Sequence, residues 1–214
     1  MINRLVIFGD SYSTHRDYIP AGYAHYYCTE GRDVSQPVTK MRPKETWWWQ
    51  FIEHVGAHLV LNDSWSGSTI GYTGYLGDCS TSSSFIYRYR KLAEKNFFAE
   101  NEVDTIIVFG GTNDSWSNAP LGEVKHSDFS EGDLYYVLPA ICYFMITLKK
   151  DNPDARVIFI GNSGIKGEIL DCMRETAEKF GVEFIGLSDV DKIEGHPTIL
   201  GMKQIYEQVI EKID

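Results

Sequence analysis

Five short runs of apolar, largely β-branched residues punctuate the chain: Ile2–Phe8, His58–Leu61, Thr105–Phe109, Val157–Ile160 and Val182–Ile185. Their apolar positions run together rather than alternating with polar ones, the pattern of strands buried on both faces of a parallel sheet. Between them, apolar residues recur at helical spacing over Thr46–His58, Phe85–Ala99, Leu134–Lys149, Ile165–Phe180 and Ile199–Ile213. Strand and helix in alternation predict the α/β class, a three-layer α/β/α sandwich around a five-stranded, mostly parallel sheet. No internal repeat or linker divides residues 1–214, which read as a single domain.

Three connections are longer than such a fold needs. Tyr12–Lys44 is rich in tyrosine, Ser64–Ser84 is dense in Gly, Ser and Thr, and Ser115–Asp133 follows the third strand. All three leave the carboxyl ends of their strands, the edge at which open parallel sheets bind ligands.

Composition narrows the partners. With 214 residues, 43% hydrophobic and 14% aromatic, the chain has ample material for a core. Twenty basic residues face 30 acidic ones, a formal charge of −10, so nucleic acid and anionic membrane surfaces are not expected partners. No apolar run reaches the length of a membrane span, and no basic segment precedes a leader-like apolar stretch, so the chain as it stands is expected to be cytoplasmic. Cys28, Cys79, Cys142 and Cys172 are widely spaced and read as reduced thiols. His15, His25, His54, His58 and His126 share no metal-ligand spacing with one another or with Cys, and no metal or other cofactor is expected.

The first strand stops abruptly at Gly9-Asp10-Ser11, presenting a hydroxyl at the sheet's edge. The second strand runs into "LNDSWSGST", where Gly67 lets the backbone offer an N–H. The third runs into "FGGTND" and places the Asn113 carboxamide at the same edge, while "IEGHPT" puts His196 in a loop before the last helix. A hydroxyl, a backbone donor, an amide donor and an imidazole suffice for ester hydrolysis. As bland alternatives, Ser11 is a helix cap, Asn113 a turn residue and His196 a solvated loop histidine. Asp10 and Asp114 read as braces, and Gly9-Asp10-Ser11-Tyr12-Ser13-Thr14 lacks the glycine spacing of a dinucleotide site.

In order and spacing, Gly9-Asp10-Ser11, Gly67, Gly111-x-Asn113 and His196-Pro197 resemble the four blocks of the SGNH (GDSL-type) hydrolases, over nearly the whole chain. The resemblance implies a flavodoxin-like sandwich with Ser11 as nucleophile and His196 as base. It also implies an oxyanion hole from the Ser11 N–H, the Gly67 N–H and the Asn113 side chain. One position departs: the family's acid three residues before the histidine is Ile193 here. Asp191, Glu194 or a backbone carbonyl remain to orient the imidazole, and Asp191 is carried forward as the candidate acid.

The activity so implied is a serine esterase acting on short, acetyl-type esters of a small molecule or carbohydrate, with Tyr12, Trp65 and Trp116 as candidate substrate contacts. Two alternatives stand beside it: a lipase or thioesterase on longer chains, lined by Ile19, Tyr23 and Leu76, or a non-catalytic carbohydrate-binding member. Trp47-Trp48-Trp49 on one helix point in three directions and read chiefly as core.

Overall fold

The computed structural model describes residues 2–32 and 36–213; residues 33–35, inside the long tyrosine-rich connection, lie outside it. The main sheet consists of β1 (Arg4–Gly9), β2 (His58–Ser64), β5 (Thr105–Gly110), β6 (Arg156–Gly161) and β7 (Glu183–Gly186). They lie in the order β2-β1-β5-β6-β7, every neighbouring pair parallel. The first three elements in space thus reverse direction of travel at β1 and β5, the place where doubly wound sheets open a crevice.

Burial explains why the strand runs are apolar throughout. Val6 and Phe8, Ile106 and Val108, and Val157 and Phe159 enter one core. Leu5 and Ile7, Ile107 and Phe109, and Ile158 and Ile160 enter the other. The first core is closed by α2 (Phe85–Ala93), α5 (Val137–Asp151) and α6 (Gly167–Phe180), and the second by α1 (Trp47–Val55) and α7 (Ile199–Ile213). Trp47 and Trp48 are fully buried, so this part of the tryptophan run is core.

Three departures from the periodicity matter. The segment expected as one helix from Phe85 to Ala99 is broken, because Asn96 takes a left-handed φ of 52° before α3 (Phe97–Glu100). Within the second long connection, β3 (Thr73–Gly74) and β4 (Gly77–Asp78) form a small hairpin. A second hairpin, β8 (Lys192–Ile193) and β9 (His196–Pro197), replaces the open loop expected around His196. Such two-residue strands carry no periodic signal.

Candidate active site

Ser11 opens a 3-10 turn, Ser11–Ser13, directly after β1. The Asp10 carboxylate caps this turn, accepting from the Tyr12 N–H at 3.0 Å, and the Ser13 N–H donates to the Asp10 carbonyl at 3.1 Å. Burial pushes the Asp10 carboxyl up to about 7. The backbone N–H of Ser11 has no protein acceptor among the described residues.

The loop after β2 is drawn against the same point, its Trp65 N–H donating to the Gly9 carbonyl at 3.0 Å. Gly67 sits at φ +82°, where an L side chain is strained, and its N–H likewise has no protein acceptor among the described residues. A short helix after β5, α4 (Thr112–Trp116), carries Asn113. Asn113 Nδ2 donates to the Ser68 carbonyl at 2.9 Å, which seats the carboxamide beside Gly67 and leaves its second N–H. The neighbouring Asp114 accepts from Ile70 N–H at 2.9 Å and Gly71 N–H at 3.1 Å, binding the Gly67 loop to α4. Burial raises its carboxyl to about 6.

His196 Nε2 lies 3.0 Å from Ser11 Oγ. On the other side of the ring, Nδ1 lies 3.2 Å from the Glu194 carbonyl oxygen. A carbonyl can only accept, so Nδ1 carries the proton and Nε2 faces the serine as an acceptor. Burial lowers the imidazole's pKa below its ordinary value, with Arg32 and Lys192 adding to the effect. Ser11 and Asn113 are buried and His196 is half-buried.

Two expected site residues are placed elsewhere. Asp191 is not the imidazole's partner: it closes the open end of the β8–β9 hairpin, its carboxylate accepting from the Thr198 hydroxyl and its carbonyl from the Thr198 N–H. The hairpin decides this. Glu194 and Gly195, the two turn residues, both have positive φ, 50° and 79°, as the primed turns require, and the turn aims the Glu194 carbonyl at Nδ1. Tyr12, expected as a substrate contact, is fully buried, and its hydroxyl is turned to protein partners rather than to the open cleft. Its hydroxyl donates to the Gly195 carbonyl and accepts from Asn162 Nδ2 at 3.1 Å.

Trp116 is 39% exposed with its ring centroid 6.3 Å from that of His196, at the rim. Trp65 packs on Tyr23 with centroids 4.4 Å apart and lines a cavity of about 290 Å³ that includes Gly67, Tyr75 and Leu76. Residue-by-residue reading misses Tyr75, at the tip of the β3–β4 hairpin, whose hydroxyl donates to Asn113 Oδ1 at 3.0 Å. It also misses Arg88, buried beneath the site against Asp63. Neither had a signal beyond its residue type. Among the described residues, no group of three or more His, Cys, Asp or Glu side chains could hold a metal ion, and no helix is long and apolar enough to cross a membrane.

The fold is shared with solved structures. A protein assigned as a GDSL-like lipase from Bacteroides ovatus is 37% identical, with a TM-score of 0.88 over 99% of this chain and 97% of that one. A second, from Bacteroides uniformis, is 39% identical, with a TM-score of 0.85 over 99% and 95%. A family two carbohydrate esterase from Clostridium thermocellum in complex with cellohexaose shares the fold at 15% identity. Its TM-score is 0.64, over 99% of this chain and 63% of that one. No curated protein sequence matches. The family model of GDSL-like lipases and acylhydrolases matches residues 3–213, and with the Bacteroides relatives it places this chain in the GDSL-like lipase/acylhydrolase family, the SGNH hydrolases.

Proposed function

We propose that the chain is, as one domain over residues 1–214, a serine esterase that removes short acyl groups from a carbohydrate through an acyl-enzyme on Ser11. The observation that carries the reading is the relay Glu194 carbonyl, His196, Ser11, with spacings of 3.2 and 3.0 Å. His196 Nε2 takes the proton of Ser11 Oγ as the oxygen attacks the ester carbonyl. The negative charge on the tetrahedral intermediate falls to the N–H groups of Ser11 and Gly67 and the remaining N–H of Asn113. The imidazolium then protonates the leaving alkoxide. A water molecule, deprotonated by the same nitrogen, releases the acid and restores Ser11.

The cavity beside Gly67, about 290 Å³, is at the small end for ligand pockets and favours a short acyl chain. Exposed aromatic rings at the rim, Trp116 and Tyr75, offer faces for sugar rings. The fold likeness to a carbohydrate esterase that holds cellohexaose points the same way. The longer-chain reading has less support, because Leu76, one of its lining residues, is fully exposed at a hairpin tip.

The test is hydrolysis of p-nitrophenyl acetate, butyrate and octanoate by wild type and Ser11→Ala, followed by acetate release from acetylated oligosaccharides. Turnover that falls from acetate to octanoate and vanishes in the variant supports the reading. Turnover that persists in Ser11→Ala overturns the mechanism, and a preference for octanoate overturns the substrate class.

A further inference from the structure

The hairpin that carries His196 is held by three tyrosines from the connection after β1, one to each of three consecutive residues. The Tyr12 hydroxyl donates to the Gly195 carbonyl, and the Tyr27 hydroxyl donates to the Pro197 carbonyl at 2.8 Å. Between them Tyr26 lies flat on the imidazole of His196, ring centroids 3.6 Å apart and planes within 7°. Tyr26 is itself fixed, because its N–H donates to Thr14 Oγ1 at 2.9 Å, and that hydroxyl donates to the Ser11 carbonyl at 3.0 Å. The ring facing the base is therefore anchored to the turn that presents the serine.

We propose that Tyr26 is the positioning residue for His196: its ring face sets the plane of the imidazole and stabilises the imidazolium formed in each turnover. The proposal rests on the esterase reading above. A carboxylate partner both orients the imidazole and balances its charge. Here Ile193 stands at the family's usual acid position, and the Glu194 carbonyl supplies orientation with only a dipole to meet the charge. A tyrosine face carries negative potential. Face-to-face stacking of two neutral rings is not their preferred geometry, but it turns attractive when one of them becomes a cation. The contact is thus stronger once Ser11 has given up its proton, and an interaction of that kind accelerates the chemical step.

The other groups around the imidazole are the Ser11 hydroxyl, the edge of Trp116 at 6.3 Å and Tyr12 at 5.7 Å between ring centroids. The charges of Arg32 and Lys192 act against the imidazolium. Arg32 lies near the Tyr26 ring, 5.9 Å from its centroid, and Lys192 is held by Asn162 Oδ1 at 2.8 Å. The Glu194 carboxylate acts on the Tyr26 phenol. Among these, the Tyr26 face is the group in parallel contact with the ring.

The test measures kcat and KM for p-nitrophenyl acetate against pH, and the His196 pKa by NMR, in the 214-residue chain. The set is wild type, Ser11→Ala, Tyr26→Leu and Tyr26→Phe, with pentafluorophenylalanine at position 26 as a variant of unchanged ring shape and reversed face potential. Tyr26→Leu is expected to lower kcat about tenfold, about 1.4 kcal/mol of barrier, with KM changing far less. The His196 pKa should move down, since the cation loses its partner. Phenylalanine should recover most of kcat, and the fluorinated ring should behave like leucine even if the leucine variant fails to fold. Equal kcat and equal His196 pKa in the phenylalanine and pentafluorophenylalanine proteins would overturn the proposal. Persistent turnover in Ser11→Ala would instead overturn the esterase reading, and the NMR measurement would still decide the role of Tyr26.

Discussion

Arg88 is the buried cation under the site, and replacing it is the sharpest test of how the site is held. Its side chain is 1% exposed and that of Asp63 3%, with Nη1 3.1 Å from Asp63 Oδ2. The same guanidinium donates to the Gly9 and Asp63 carbonyls, to the Ser83 carbonyl at 2.9 Å and to Ser68 Oγ at 3.3 Å. It therefore ties the end of β1, the end of β2 and the Gly67 loop to α2. Arg88→Met keeps the apolar stem and removes every one of these donors, leaving the Asp63 carboxylate buried without its cation. Removing one partner of a buried pair costs about 3–5 kcal/mol. With a urea m-value of about 3 kcal/mol/M, the unfolding midpoint should fall by about 1–1.7 M with m unchanged. The double variant Arg88→Met/Asp63→Leu should regain at least half of that, because most of the loss is the stranded charge rather than the pair itself. Urea unfolding followed by circular dichroism measures both. A single variant that loses less than about 1 kcal/mol, or a double variant no better than the single, would refute the reasoning.

The remaining predictions concern the chemistry. On the proposed mechanism Asn113 is an oxyanion donor, so Asn113→Ala should lower kcat for p-nitrophenyl acetate by about 10²–10³ with little change in KM. Asp191→Ala should keep kcat within about tenfold while lowering Tm, because its carboxylate holds Thr198 rather than the imidazole. On the proposed mechanism His196 is a neutral base, and because burial lowers its pKa the acid limb of kcat/KM should have its midpoint below pH 6.5. Asp10 also titrates in this region, at about 7. Its conversion to Asn should leave the limb where it is if His196 is the group observed.

The sequence by itself determined the layers. Runs such as Leu5–Phe8 and Ile106–Phe109 are apolar at every position because both faces of their strands are covered, a requirement that is local and readable from one segment. It also determined which strand ends carry Ser11, Gly67 and Asn113, because the chain order of these residues follows the strand order along the sequence. What orients His196 was left open, and tertiary structure decided it. A two-residue hairpin turn aimed a carbonyl that has no residue type of its own, and tied Asp191 to Thr198 instead. The tyrosines after β1 stood out by their number alone. Tyr12 was expected to meet substrate and is instead buried against Gly195, while Tyr26 lies against a ring 170 positions along the chain. Periodicity reports which face of an element is covered. It does not report which distant side chain covers it, and at this site that is the information that sets the geometry of the base.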